Sequence, residues 1–563
     1  MRKTLKGIST AAVGLRRETF GRPRIAALLI VYVAGFLTLS ALAAPAQPYW
    51  QLTFSYDAES LSLIKADRIA PMRKEARTPG LAGAALRVAY ELEWLDAKGG
   101  ALGASSLEMP LGLRVFMNGQ APCQTIIPKE GAVVARVQGP KAGLWPSAIR
   151  LTRSGQTAGG LSAEALQAPR AFAPSVLSFS LPAISGAAAP PPGPVSVEKT
   201  HDTGDDSNRF VAVVMGDGYT SANLTAGRFT VDAASLMSTF AAKAPWDAYW
   251  TAVNTYRIDI ESNEEGADQP PPGPGIYVDT YLNASFWVGG TERLLALDSV
   301  GLSRAFAAAD SMVGPGVWDE VFVVVNSTKY GGSGGAIAVT SVHASAREIL
   351  PHEVGHSFAG LADEYDYGRD SPPANDHEPN VDFHFSGPDL KWLIWVEGST
   401  PLPTPNTSQY DNVVGAFEGA KYYTTGIYRP WRNCLMRNLF RELCPVCQEA
   451  HVLSLMNQLD LADGLTPPVS QTQRVGSRAV AFTIDPLPID PLTYTWSLGG
   501  LPLPGETSST LTLDGSDLGS PTQLLEVEVA HPTPRVRSSL VSQTYSWPVV
   551  RYSAVPAAKW SDY

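Results

Sequence analysis

The segment HEVGHSFAGLADEY, residues 352–365, constrains the fold of this chain more than any other part of its sequence. His352 and His356 are four residues apart, which corresponds to a rotation of about 400° along an α-helix, so both side chains lie on one face, one turn apart. Neutral imidazoles placed in this way can hold one zinc ion. Glu353 lies about 100° round the helix from His352 and is free to face a water molecule at the metal. The segment therefore predicts a zinc site on a helix, as opposed to two ordinary core or surface histidines.

The third ligand of this site is not obvious from the pattern. Six residues after His356 stands Ala362, which has no donor atom, and on an unbroken helix Asp363 would lie about 10.5 Å along the axis from His356. We therefore expect the helix to end at Gly360. In the metzincin pattern H-E-x-x-H-x-x-G-x-x-H the third ligand follows the glycine by three residues, which predicts Asp363 here. Glu364 is the alternative ligand, and whichever carboxylate does not bind the metal is expected to orient a histidine.

The start of the helix is constrained by Pro351. Ser345 and Glu348 have the spacing of a capping box, which would begin a helix near Ala346 and place the proline in its interior. A helix that begins close to Pro351 avoids that clash and keeps the turn between the two histidines regular. We therefore expect the proline in the first turn, with a kinked helix as the alternative.

The first 44 residues have the features of an export signal. Seven basic residues and one acidic residue are followed by a charge-free run, residues 25–44, that ends in small side chains. We predict a cleaved signal peptide over residues 1–44, with an uncleaved membrane anchor as the alternative. The expected location is outside the cytoplasm, either periplasmic or secreted.

The remaining chain is acidic. Without residues 1–44 it holds 36 basic and 53 acidic residues, a net charge of −17. Such a surface argues against nucleic acid as a partner, and against an anionic membrane once the signal is removed.

Three of the four cysteines lie within 14 residues of one another. They are Cys434, Cys444 and Cys447, and the fourth is Cys123. In an exported protein this clustering predicts a local disulfide whose pairing the sequence leaves open. The alternative is a zinc or redox site at the Cys-x-x-Cys pair, Cys444 and Cys447.

Alternating and apolar runs predict a multidomain α+β protein. Residues 47–185 contain alternating strand patterns such as YWQLTFSYD and predict a β-rich domain, and residues 186–200 a proline-stiffened linker. Residues 201–462 mix buried strands with a helical segment near residues 222–242 and predict an α/β domain that carries the zinc site. Residues 466–563 contain short strand-like runs separated by Gly, Pro, Asp and Ser, a spacing that predicts a β-sandwich.

The segment YGGSGGAIAVTSV, residues 330–342, has strand character after its glycines. We expect it at a sheet edge, where it could hold an extended peptide by main-chain hydrogen bonds. A mobile glycine loop is the alternative.

The sequence HEVGHSFAGLADEY resembles the signature of the M64 family of zinc metallopeptidases, typified by the bacterial IgA peptidase. The segments VAVVMGDGYT, VVVNSTKYGGSGG, EPNVD, GIYRPWRNCLMR and CPVC also resemble that family, and together they cover most of residues 205–455. The resemblance implies a secreted zinc endopeptidase with a metzincin-like catalytic domain. It matches His352 and His356 to the zinc ligands and Glu353 to the catalytic glutamate, and it places Met436 below the zinc as a Met-turn. It does not imply IgA as the substrate.

These residues predict a Zn2+-dependent endopeptidase in which Glu353 is the general base for a metal-activated water that attacks the peptide bond. Tyr365 or Tyr428 could donate a hydrogen bond to the oxyanion. The expected partner is a protein or peptide substrate. The alternatives are an exported glycan- or peptide-binding protein with a vestigial metal site, and a zinc hydrolase that acts on a non-peptide bond.

Overall fold

The computed structural model describes residues 49–56, 61–69, 86–96, 98–111, 113–114, 125–126, 131–138, 146, 148–153, 176–180, 193–370, 373 and 375–552. All of them belong to one compact unit, Gln47–Tyr563. The predicted signal peptide and Cys123 lie outside the described residues. Within the described ranges, no helix has the length and apolar character needed to cross a membrane. The fold is mixed α/β, with many sheets and few helices.

The first nine strands precede residue 181. They are β1 (Tyr49–Tyr56), β2 (Leu61–Ile69), β3 (Leu86–Leu95), β4 (Ala101–Leu111), β5 (Leu113–Arg114), β6 (Thr125–Ile126), β7 (Gly131–Gln138), β8 (Ala148–Arg153) and β9 (Val176–Ser180). They form a three-stranded sheet in the order β2-β1-β7, a four-stranded sheet in the order β4-β3-β8-β9, and the pair β5-β6. The rings of Trp50 and Trp94, one from each larger sheet, lie 5.4 Å apart in the core. The strand predicted at YWQLTFSYD is confirmed.

A six-stranded sheet forms the centre of the next region. The strands of this region are β10 (Pro194–His201), β11 (Phe210–Asp217), β12 (Val253–Ile260), β13 (Ala284–Ser285), β14 (Ala296–Leu297), β15 (Glu320–Val325), β16 (Gly332–Ser333) and β17 (Ala338–Ser341). The sheet order is β10-β12-β11-β15-β17-β16, and β13 pairs with β14. β12, β11, β15 and β17 run parallel, whereas both edge strands are antiparallel. Every residue of β11 and β15 is buried, as expected for the interior of a parallel sheet.

The predicted linker is wrong over residues 194–200. These residues are part of β10, which pairs with β12 from Pro194 to His201. The only proline of this stretch is the first residue of an edge strand, where the missing amide removes no interior hydrogen bond. Residues 186–192 lie outside the described residues.

Among the described residues, six α-helices accompany the strands: α1 (Ser221–Thr225), α2 (Arg228–Ala241), α3 (Trp246–Tyr249), α4 (Ser299–Met312), α5 (Ile349–Ser357) and α6 (Pro445–Met456). Short 3-10 helices lie at Asp206–Asn208, Trp250–Ala252, Val288–Gly290, Ala344–Glu348, Leu393–Trp395 and Ser408–Tyr410. The helical segment predicted near residues 222–242 is present, divided at Gly227, whose φ is +71°. Such a value favours glycine and ends one helix before the next begins.

The sheet edge beside the glycine-rich segment is covered. The segment 330–342 lies at the edge as predicted, with β16 outermost. However, Gly332 donates its amide proton to the carbonyl of Arg293 at 3.2 Å and forms a β-bridge with Leu294. Residues 293 and 294 therefore already occupy the main-chain position at Gly332 that was expected to receive a peptide.

The last strands are β18 (Asp366–Arg369), β19 (Phe417–Ala420), β20 (Tyr422–Arg429), β21 (Ala462–Thr466), β22 (Gln473–Val475), β23 (Val480–Pro486), β24 (Thr493–Leu498), β25 (Leu501–Pro502), β26 (Thr510–Leu513), β27 (Thr522–His531) and β28 (Val541–Arg551). β18, β20 and β19 form a small sheet next to the segment that follows α5. The sheets β21-β23-β26 and β22-β28-β27-β24-β25 meet through Phe482 and Trp547, whose ring centroids are 5.5 Å apart. The strands predicted after residue 466 are confirmed, while their arrangement as a β-sandwich stays a prediction.

The C-terminal sheets share a core with the central region. One buried apolar cluster includes Phe210 of β11, Leu455 of α6 and Trp496 of β24. At its border the buried guanidinium of Arg209 donates to both carboxylate oxygens of Asp463, each at 2.7 Å. The central and C-terminal regions are therefore packed together as one body.

Candidate metal centre

The helix that carries both histidines begins where the proline requires it to. A 3-10 helix, Ala344–Glu348, precedes α5, so the capping-box spacing does not start the α-helix. α5 begins at Ile349, which places Pro351 in its first turn, where amides have no partner within the helix. The expected start is confirmed.

The helix ends close to Gly360, as expected from the sequence. Gly360 has a φ of +66°, and its amide donates to the carbonyl of His356 at 3.2 Å. The chain then turns back along the helix. Asn380 holds this turn in place, because it accepts from the amide of Ala362 at 2.7 Å and donates to the carbonyl of the same residue at 2.9 Å. The next side chain, that of Asp363, points at the histidines.

His352, His356 and Asp363 converge on one point. The Nε2 atoms of the histidines are 3.1 Å apart, and Oδ1 of Asp363 lies 3.2 Å from His352 and 3.1 Å from His356. All three side chains are almost completely buried. The structure thus brings the three predicted ligands together.

The hydrogen bonds behind the imidazoles define which nitrogen carries the proton. Nδ1 of His352 lies 3.1 Å from the carbonyl of Leu435, and Nδ1 of His356 lies 2.6 Å from that of Leu361. Since a carbonyl oxygen only accepts, both Nδ1 atoms donate, and in the neutral rings both Nε2 atoms present lone pairs. Two lone pairs and a carboxylate oxygen then face one another, an arrangement that a cation between them stabilises.

These side chains fit a zinc ion in chemistry and in spacing. Ligand atoms of a tetrahedral site with bonds of about 2.0 Å lie about 3.3 Å apart, close to the observed separations. Burial acts to lower the pKa of His352, but Asp363 and Glu353 raise it above its usual value. Both carboxylates therefore favour positive charge at this point.

Tyr422 and Asn380 are site residues that the sequence analysis missed. The hydroxyl of Tyr422 donates to Oδ2 of Asp363, the oxygen that does not face the histidines. Such a bond orients a ligating carboxylate. Asn380 belongs to the EPNVD segment quoted for the family resemblance, but no local signal connects Tyr422 to Asp363 or Asn380 to Ala362, since both contacts depend on the fold.

The structure adds a third tyrosine to the two considered as oxyanion donors. The ring of Tyr365 packs 5.7 Å from that of Tyr422, whereas the ring of Tyr428 packs against Phe385. Burial raises the pKa of Tyr330 to about 12, with Glu353 adding to the shift, so its hydroxyl stays protonated near the candidate general base. Tyr330 is therefore a further candidate donor.

Met436 packs under the helix that holds the histidines. It is fully buried, and a Cβ built on Gly355 would lie 2.7 Å from its sulfur. The same turn supplies the carbonyl of Leu435 to His352 and the carbonyl of Met436 to the amide of Glu364 at 2.8 Å. Met436 therefore lies against the helix of the two histidines, and its role as a Met-turn stays a prediction.

Glu353 is held tightly against the glycine-rich segment. Its side chain is 3% exposed, and a Cβ built on Gly334 would lie 1.9 Å from its Oε2 atom. Only a glycine leaves room for the carboxylate in its present position.

Gly334→Ala is expected to displace this carboxylate and to lower kcat for peptide hydrolysis by up to about 100-fold, because small displacements of a reacting group are costly. Metal content should not change, since Gly334 supplies none of the three converging side chains. Steady-state kinetics and metal analysis of the purified variant check both expectations. Gly398→Ala is the control, because its added methyl group meets only open space. A variant with unchanged kcat would show that the position of Glu353 does not depend on Gly334.

Glu364 points away from the histidines, into a group of cysteines. Its Oε1 atom lies 3.3 Å from Sγ of Cys447 and 3.0 Å from Nδ2 of Asn380. Burial raises the pKa of Glu364 well above its usual range. Cys434, Cys444 and Cys447 are free thiols, in contrast to the predicted local disulfide. The sulfurs of Cys434 and Cys447 are 3.7 Å apart, too far for a disulfide bond of about 2.05 Å.

A comparison with protein families covers the part of the chain that holds the site. A family model described as IgA Peptidase M64 matches residues 198–410 and 406–454. Residues 198–454 belong to the M64 peptidase family. No curated protein matched the chain. M64 peptidases are metallopeptidases, so the match supports a peptidase whose substrates are proteins or peptides.

Proposed function

We propose that this protein is an exported zinc-dependent endopeptidase that uses Glu353 as its general base. The observation that carries the proposal is the convergence of His352, His356 and Asp363 on one point, with Glu353 on the same helix. The M64 match supports the peptidase class. Beyond that class, we propose zinc as the metal, internal bonds as the cleavage sites, and export.

His352, His356 and Asp363 would hold the ion. When bound there, zinc supplies a Lewis acid that lowers the pKa of a water molecule and polarises the scissile carbonyl. The carbonyls of Leu435 and Leu361 keep the protons of both rings on Nδ1, which leaves the Nε2 atoms as ligands. Tyr422 fixes the rotation of the Asp363 carboxylate.

Glu353 accepts the proton of the attacking water and returns it to the leaving amine. Its carboxylate is suited to this role because burial excludes bulk water and because the glycine at position 334 leaves room for the carboxylate where it now lies. Tyr330 keeps its proton and can donate a hydrogen bond to the oxyanion that develops on the substrate.

The substrate is proposed to be a protein or peptide outside the cytoplasm, either in the periplasm or beyond the cell. The charged segment and apolar run of residues 1–44 support export, and the net charge of −17 on the rest of the chain supports the exclusion of nucleic acid and anionic membrane as partners.

Digestion of a broad peptide library tests the proposal. We expect internal cleavage by the purified protein, loss of cleavage with a chelator, and recovery when Zn2+ is restored. Cleavage that persists at full rate in the chelator would contradict metal dependence. A protein that binds library peptides without cleaving them would instead match the alternative of a binding protein with a vestigial site.

A further inference from the structure

Four buried side chains form a second cluster beside the candidate metal centre. They are the thiols of Cys434, Cys444 and Cys447 and the carboxylate of Glu364, and their ligand atoms all lie within 4.8 Å of one another. Each residue is at most 2% exposed. Glu364 directly follows Asp363, so the carboxylates of two consecutive residues lie in different clusters, one with the histidines and one with the cysteines.

We infer that Glu364, Cys434, Cys444 and Cys447 form a second, structural zinc site. Three sulfurs and one carboxylate oxygen complete a four-ligand set with no open position, as is usual for a zinc ion that supports a fold. Thiolate ligands favour zinc over hard cations such as calcium or magnesium. The inference does not depend on the proposed peptidase activity.

The spacing of the ligand atoms agrees with a tetrahedral site. Bonds of about 2.3 Å to zinc place two sulfurs about 3.8 Å apart. The sulfurs of Cys434 and Cys447 are 3.7 Å apart.

Glu364 has a buried oxygen with no hydrogen bond. Its Oε1 atom accepts from Asn380, but Oε2 has no hydrogen-bond partner among the described residues. A buried carboxylate oxygen without a partner is costly, and coordination of a cation removes that cost. The guanidinium of Arg429, also buried, interacts electrostatically with Glu364 and would offset part of the negative charge of the ligand set.

A disulfide explains the cluster less well than a metal ion. The observed separation of the Cys434 and Cys447 sulfurs is well above the bond length of about 2.05 Å. A disulfide between any two of the cysteines would also leave the third thiol and the Glu364 carboxylate buried with no ion to bind them both. The burial of Cys444 and Cys447 argues against a redox pair, which requires access for a reacting thiol.

An ion in the cysteine cluster would stabilise the backbone around the candidate metal centre. Cys434 precedes Leu435, whose carbonyl holds the ring of His352, and Glu364 follows Asp363. Cys444 immediately precedes α6, and Cys447 lies in its first turn. An ion at the four ligands therefore ties together the backbone segments that position two of the three side chains of the candidate metal centre.

Metal analysis of the full-length chain with both histidines replaced tests the inference. The wild-type protein should hold two zinc ions per chain, and the His352→Ala, His356→Ala double variant should keep one. After exchange with Co2+, that double variant should show a thiolate-to-cobalt charge-transfer band. Adding Cys447→Ser to the double variant should remove this band. Cys123→Ser is the control, since it removes a cysteine that is not in the cluster and should leave the band in place.

Two results would overturn the inference. One is a double histidine variant that binds neither zinc nor cobalt while it remains folded. The other is a thiol titration of the purified wild-type protein that finds a disulfide among the three cysteines. If Cys447→Ser does not fold, Glu364→Gln keeps the side-chain volume and should lose its cobalt to a competing chelator at least about tenfold more readily than the parent. Equal retention would also contradict the site.

Discussion

Glu353→Gln is expected to lower kcat for peptide hydrolysis by about 10²–10⁴-fold, the usual contribution of a positioned general base. The amide has nearly the same shape as the carboxylate but cannot accept the proton of the attacking water. Glu353 is outside the set of three converging side chains, so the variant should hold as much zinc as the wild-type protein. Steady-state kinetics together with metal analysis would measure both effects.

Glu397→Gln is the matched control, because Glu397 is an exposed glutamate outside both clusters. It should retain wild-type kcat and metal content. A Glu353→Gln variant with wild-type kcat would refute the general-base role. If kcat and zinc content fell together, the loss would belong to the metal, and Glu353 would have to be assigned to metal binding.

Asp363→Ala is expected to remove one zinc ion per chain and, with it, peptide hydrolysis. Removal of a residue that only orients a ligand typically weakens metal affinity by 10–100-fold, so removal of the ligand itself should exceed about 100-fold. Tyr422→Phe provides the smaller effect for comparison, because it removes the hydrogen bond to Oδ2 and keeps the carboxylate. Competition with a chelator of known affinity gives the magnitude for each variant.

The control for Asp363→Ala is Asp370→Ala, which removes an exposed carboxylate from the same stretch of chain. Full zinc occupancy in the Asp363 variant would show that this aspartate is not the third ligand. The quantity measured is the difference in zinc content between the variant and the wild-type protein. The outcome therefore does not depend on whether the cysteine cluster also holds an ion.

The helix and the convergence of His352, His356 and Asp363 could be predicted from local rules. A proline has to lie in the first turn of α5, a glycine with positive φ ends the helix, and the residue three beyond that glycine is Asp363. Each step concerns neighbours in sequence, where backbone geometry leaves few choices. The apolar runs at β11 and β15 were predictable for the same reason, since full burial requires continuous hydrophobicity.

Long-range contacts account for what the sequence did not reveal. Tyr422 is 59 residues from Asp363, and Cys447 is 83 residues from Glu364. The choice between Asp363 and Glu364 as third ligand looked like a competition for one site, whereas the structure gives each carboxylate its own cluster. The strand at residues 194–200 was missed because its neighbour β12 lies more than 50 residues further along the chain.

The shared core of the central and C-terminal regions determines where this protein can be shortened. The family match ends at residue 454, which suggests a natural place to cut. A cut there would divide α6, remove Leu455 and Trp496 from the buried cluster that includes Phe210, and leave the guanidinium of Arg209 without Asp463. The minimal folding unit of the peptidase therefore extends past its family boundary, because the C-terminal sheets complete its buried core and are not a detachable module.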